Sequence, residues 1–202
     1  MLPPLDMPSF PRPTDQKARF VSNPSVSNIQ STSEDAKLIA FGANLPTDQY
    51  GAPAQTLKAA LEHLAQDGRV SIKAVSSFYE TAPVPISDQP WYVNGVAWVE
   101  TDLSAHDLLL KLHEVEAEFG RVRRERNAAR VIDLDLIAYG RDLIVEEGGI
   151  NVPHPRMAER AFVLLPLRDV ASDWVHPVLG RTVDDLISDL PADQQIRKQA
   201  ES

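Results

Sequence analysis

The stretch Arg121-Val122-Arg123-Arg124-Glu125-Arg126-Asn127-Ala128-Ala129-Arg130-Val131-Ile132-Asp133-Leu134-Asp135-Leu136-Ile137-Ala138-Tyr139 decides how this chain reads. From Val131 it alternates apolar residues with acids, the period of a half-buried strand. Residues two apart along a strand share a face. Asp133 and Asp135 therefore project together, while Ile132, Leu134 and Leu136 point the other way into a core. Two adjacent carboxylates repel each other and are costly to half-bury. A hard divalent cation relieves that repulsion, and Mg²⁺ typically takes one or two carboxylates plus substrate phosphates. The first half of the stretch supplies the complement: five arginines (Arg121, Arg123, Arg124, Arg126, Arg130) against one acid, Glu125. Guanidinium forks bind phosphate oxygens bidentately and stay charged at any relevant pH. Alone, a charge run is usually a solvated face, and paired acids describe an exposed strand face about as often as a site. Together they read as a nucleoside triphosphate site.

Upstream, Ser104 reads as a helix N-cap with Asp107 three residues on. That helix runs to about Phe119 and buries Leu108, Leu109, Leu112, Val115 and Phe119, with Gly120 ending it. Its acids Glu114, Glu116 and Glu118 read as a solvated face. Trp91 to Glu100 is a strand in which Tyr92, Asn94 and Val96 share one face. An aromatic with an amide two residues on could hold a flat heterocycle, though ordinary sheet packing is the commoner use. Ala82 to Pro90 is a loop kept extended by prolines, and Arg69 to Thr81 is strand-like. Pro53 to Gln66 has helical spacing, and Lys37 to Gly42 is a buried strand turning at Gly42-Ala43-Asn44.

Downstream, Leu143–Val145 and Ile150–Val152 pair as a small hairpin, followed by Pro153-His154-Pro155-Arg156. Met157 to Ala171 is helical in pattern, and Val183 to Leu190 is a last short helix. Residues 1–35 are a Pro/Ser-rich extension expected to be disordered, and the polar tail 191–202 is expected to fray. The domain is thus expected at 36–190. Its order of strand, helix, strand, strand, helix, strand is the split βαβ repeat of a ferredoxin-like α+β sandwich, an antiparallel sheet with helices packed on it.

The 202 residues are 43% hydrophobic, enough for one ordinary core, and carry a formal net charge of -9, against general attraction to nucleic acid or anionic membrane. There is no cysteine, hence no thiolate chemistry or Cys zinc site. No apolar run approaches the roughly eighteen residues of a membrane span, and no secretory leader is evident. A cytoplasmic monomer is the expectation.

Four motifs in one order carry a family likeness: Gln89-Pro90-x-Tyr92-x-Asn94, Gly120-Arg121-Val-Arg123, Arg130-x-x-Asp133-Leu-Asp135-Leu-Ile, and Val152-Pro153-His154 followed by Arg160-x-Phe162. Over residues 37–190 the chain resembles 6-hydroxymethyl-7,8-dihydropterin pyrophosphokinase, an enzyme of folate biosynthesis with a ferredoxin-like fold. The resemblance implies transfer of pyrophosphate from ATP to the pterin 6-hydroxymethyl oxygen, leaving AMP. It implies two Mg²⁺ ions on Asp133 and Asp135, with Arg121 and Arg130 beside them in catalysis. Arg121, Arg123, Arg130, His154 and Arg160 would bind nucleotide, with His113 where a glutamine often contacts it. Tyr92 and Phe162 would sandwich the pterin, Asn94 would read its edge, and Thr81 and Val84 would line the pocket. Gly42 and Asn44 would belong to the first of three mobile loops. Asn127 stands where some members have tryptophan, in a loop one residue shorter, and Pro155 where some have tyrosine. The competing readings are a non-catalytic pterin- or nucleotide-binding relative and an RNA-binding ferredoxin-like module, the latter weakened by the acidic balance.

Overall fold

A computed structural model of the chain describes residues 33–83, 87–121, 129–147 and 149–200. The expectations for residues 1–32, Val84, Arg123 and Asn127 lie outside these. Order begins with a 3-10 turn at Ser33–Asp35, before the first strand.

Strand β1 (Lys37–Ala43) is paired antiparallel on both sides. Helix α1 (Pro53–Ala65) starts with Pro53 in its first turn, where the missing N–H costs nothing, and buries Leu57, Leu61 and Leu64. Each such leucine contributes about 1.5–3 kcal/mol of burial. The strand-like run after Gly68 divides into β2 (Val70–Val75) and β3 (Tyr79–Thr81). Both pair with the long β4 (Tyr92–Thr101), at its C-terminal and N-terminal halves respectively. The break falls at Ser76, whose hydroxyl accepts the Val96 N–H at 3.0 Å in place of a regular ladder partner. Helix α2 (Ala105–Glu118) is capped as expected, the Asp107 N–H donating to Ser104 Oγ at 3.1 Å. Strand β5 (Asp133–Tyr139) then pairs with β1. A small hairpin of β6 (Ile144–Val145) and β7 (Asn151–Val152) follows.

The sheet runs β5-β1-β4-β3, with β2 in line with β3 against β4, which is the strand order of a ferredoxin-like fold. On one face Leu57, Leu108 and Leu112 of α1 and α2 close on Ile39, Phe41, Leu134 and Leu136. The other face meets α3 (Ala161–Val170) and α4 (Val183–Ser188), where Leu164, Leu167 and Leu186 pack on Leu38, Val96 and Ile137 with the fully buried Trp174. A register shift between Leu38 and Ile39 against β5 brings Ile137 and Ala138 both into this second core.

Two expectations change. The pattern over Met157–Ala171 is a 3-10 turn (Met157–Glu159) and a separate helix α3, parted by an extended Arg160 (φ -115°, ψ 110°). The polar tail does not fray: Ile196–Lys198 forms β8, which pairs with Tyr79–Thr81. Its outer side chains find partners there, Arg197 on Glu80 and over the Trp91 ring at 4.9 Å.

Candidate active site

Asp133, Gly42 and Asn94 are register partners across β5, β1 and β4 and so form one row on the sheet. The next row is Asp135, Ala40 and Val96. Ile132, Leu134 and Leu136 are buried on the opposite side, as the alternation requires. The two carboxylates thus stand together on the face that α3 covers only in part.

Their surroundings differ. Asp133 is held from both sides, Arg121 Nη2 on Oδ1 at 2.8 Å and Arg130 Nη1 on Oδ2 at 2.6 Å. Burial, then the neighbouring Asp135 charge, push the Asp133 carboxyl above its ordinary value, opposed by Arg121 and Arg130. Asp135 receives no hydrogen bond or ion pair among the described residues. Among those residues no cluster of three or more His, Asp or Glu forms a closed metal cage. Each Asp133 oxygen, though held by an arginine, keeps a further lone pair, and with Asp135 beside it this is a donor set that a hard cation can share with phosphate oxygens. The residues present therefore fit Mg²⁺.

Arg130 is fixed by its backbone as well as its charge. Its carbonyl accepts the N–H groups of Asn44 (3.0 Å) and Leu45 (3.2 Å), and its N–H donates to Asn44 Oδ1 at 2.9 Å. The Asn44 amide donates in turn to Pro90 O at 3.1 Å and Gln89 Oε1 at 3.3 Å. The Tyr92 hydroxyl also donates to Gln89 Oε1, at 3.2 Å. One buried amide therefore ties the turn after β1, the proline loop and the end of the arginine loop. Burial raises the Tyr92 phenol above its ordinary value, against the pull of nearby Arg130.

Asn94 is buried and donates to Thr81 Oγ1 at 2.8 Å. Thr81, read from sequence as lining a pocket through its backbone, thus orients Asn94 with its side chain. Thr81, Ala82, Pro83, Arg160 and Phe162 line a cavity of about 570 Å³, with Pro191, Gln194 and Ile196 along another wall. Arg160 lies over the Phe162 ring at 5.2 Å. Sequence reading missed this C-terminal wall, where Gln194 Oε1 accepts the Ala161 N–H at 2.8 Å and Gln194 Nε2 donates to Glu159 O at 2.9 Å.

His154 follows β7, and its N–H donates to Ile137 O at 2.9 Å, setting it beside β5. Burial, then Arg160 and Arg156, lower its pKa to about 4, so the ring is neutral near pH 7. Its Nδ1 accepts the Arg156 N–H at 3.1 Å, which assigns the proton to Nε2 as a donor. His113 lies half-buried on α2, three residues before Glu116. Glu116 corrects the sequence reading. It is 2% exposed, accepts the Leu134 N–H at 2.6 Å and pairs with Arg121.

Residues 38–172 match the family model of 7,8-dihydro-6-hydroxymethylpterin-pyrophosphokinase (HPPK). The chain is 43% identical over 139 residues to the 2-amino-4-hydroxy-6-hydroxymethyldihydropteridine pyrophosphokinase of Haemophilus influenzae, covering 69% of this chain and 83% of that protein. It is 39% identical over 153 residues to the protein of the same name from Pseudomonas aeruginosa, 76% and 90% of the two chains. It is 38% identical over 164 residues to the folic acid synthesis protein fol1 of Pneumocystis carinii, where it aligns with 81% of this chain but spans only 21% of that longer protein. In fold it resembles a triple mutant of Plasmodium falciparum HPPK-DHPS with a TM-score of 0.58 at 14% identity, over 76% of this chain and 42% of that one. The family match runs from β1 to the end of α3 and includes both aspartates and the arginines that hold them, and the chain belongs to the 7,8-dihydro-6-hydroxymethylpterin-pyrophosphokinase (HPPK) family.

Proposed function

We propose that this chain transfers the pyrophosphoryl group of ATP to the hydroxymethyl oxygen of 6-hydroxymethyl-7,8-dihydropterin, releasing AMP, as a step of folate synthesis. The observation that carries this reading is the row Asp133, Gly42, Asn94. Strands lie about 4.8 Å apart, so the Asn94 and Asp133 backbones are roughly 10 Å apart, and over the glycine between them lies no side chain but that of Asn94 itself. That is room for a hydroxymethyl group and a phosphorus to meet.

In this reading Asn94, oriented by Thr81, reads the pterin edge, and Tyr92 and Phe162 flank the ring. Asp133 and Asp135 would hold Mg²⁺, two ions in this reading, which supplies charge neutralisation for the triphosphate. Arg121 and Arg130 exchange Asp133 for phosphate oxygens. Neutral His154 offers its Nε2–H, and Arg160 its guanidinium, on the nucleotide side. No side chain acts as a strong base, because alignment and charge stabilisation carry most of the barrier.

Product identity tests the proposal. The chain is incubated with ATP, Mg²⁺ and 6-hydroxymethyl-7,8-dihydropterin, and the nucleotides are resolved. AMP formed only when pterin is present is the expected result. ADP would mean a different transfer, and saturable binding of both ligands without turnover would mean a non-catalytic relative.

A further inference from the structure

Glu116 is out of character for its helix. Its neighbours Glu114 and Glu118 are exposed, yet Glu116 is 2% exposed. A buried carboxylate is costly unless it is paired and hydrogen-bonded. Here both conditions hold, and both partners belong to the active site. One is the Arg121 guanidinium. The other is the N–H of Leu134, at 2.6 Å, the residue between the two aspartates.

The topology explains the second contact. Among the described residues β5 is the edge of the sheet and pairs with β1, so alternate N–H groups face outward without a ladder partner there. Glu116 satisfies the one at Leu134. The first contact has a different consequence. Arg121 is shared between Glu116 and Asp133, and the Arg121 N–H also donates to Glu116 O at 2.9 Å. Once Asp133 is engaged elsewhere, Glu116 is the buried anion that remains to hold Arg121 in place.

We infer that Glu116 is a positioning residue: one buried carboxylate fixes the Arg121 guanidinium relative to the Asp133-Leu134-Asp135 strand. The inference rests on the reading of Arg121 as a phosphate ligand. It predicts that Glu116 acts on turnover through Arg121 and leaves pterin binding alone. Glu116→Gln discriminates. The Leu134 N–H and the Arg121 guanidinium meet the same Glu116 oxygen, Oε1, so the amide keeps an acceptor for the strand but removes the negative charge that holds Arg121.

The test is a double-mutant cycle on the full chain with Glu116→Gln, Arg121→Ala and the double variant. Each is measured for kcat, for KM of ATP, for pterin Kd and for thermal melting. Glu116→Gln is expected to lower kcat about 10- to 100-fold, the scale of a misplaced catalytic group. Pterin Kd stays near the parent, while melting falls because a buried ion pair is lost. In the Arg121→Ala background the same change is expected to cost no more than about threefold, because its target is gone. An equal loss in both backgrounds, or no loss in either, overturns the inference. If Glu116→Gln does not melt cooperatively, Glu116→Asp, which keeps the charge but withdraws it, replaces it in the cycle. If the parent chain forms no AMP, the proposed reaction fails independently. The same cycle is then read on Mg-ATP affinity, where additivity still overturns the anchor and non-additivity supports it.

Discussion

At Gly42 a β-carbon would lie 2.6 Å from Oδ1 of Asn94, closer than real contacts allow. The missing side chain leaves the space into which the Asn94 amide leans. Gly42→Ala is therefore expected to push Asn94 off Thr81 and weaken pterin binding about tenfold, the scale of one buried hydrogen bond. The overpacking should also cost about 1–3 kcal/mol of stability. Titration calorimetry checks this against Mg-ATP affinity, which should stay within about threefold of the parent. Equal loss for both ligands would contradict the role given to Gly42. The sequence offered a glycine at a strand end. It could not offer the partner, because the register that opposes Gly42 to Asn94 is a long-range property. Glu116 differs, since its signal was present: it lies four residues after Leu112 and eight after Leu108, on the buried stripe. Reading it by charge rather than by position put it in solvent.

Among the elements, the strand Asp133–Tyr139 and the two helices on one face were legible because their periodicities are strong and local. β8 was not. Ile196–Lys198 has no distinctive pattern, and it is a strand only because the edge of β3 is there to receive it. Arg160 was legible as a residue but not as a break. Its extended backbone parts the 3-10 turn from α3, in a run whose composition reads as one helix. The C-terminal segment lines the cavity beside Thr81 and Phe162. Truncation after Pro191 is expected to remove β8 and both Gln194 contacts, lowering stability by about 2–4 kcal/mol at roughly 1 kcal/mol per hydrogen bond. Pterin KM should rise several-fold while kcat changes less. Circular dichroism melts and steady-state kinetics check this, and a truncated chain with unchanged melting and KM would show the wall to be dispensable.

At the scale of the molecule, a sheet is covered on one face by α1 and α2 and on the other by α3 and α4. On a chain whose formal net charge is -9, Arg121 and Arg130 meet on Asp133, beside Asp135. The arrangement separates two tasks. In the proposed reading phosphate and cation are handled at the β5 edge by Asp133, Asp135, Arg121 and Arg130, and the pterin toward β3 by Asn94 and Thr81. The central claim is that these tasks divide between residues one strand apart on either side of Gly42. The measurement that tests it most directly compares turnover and pterin affinity in one preparation of the Asp133→Ala/Asp135→Ala chain. Turnover should fall by about a thousandfold or more, the scale of lost electrostatic stabilisation from two groups, with pterin Kd within about threefold of the parent. Turnover within tenfold of the parent, or pterin affinity lost in step with turnover, would contradict it.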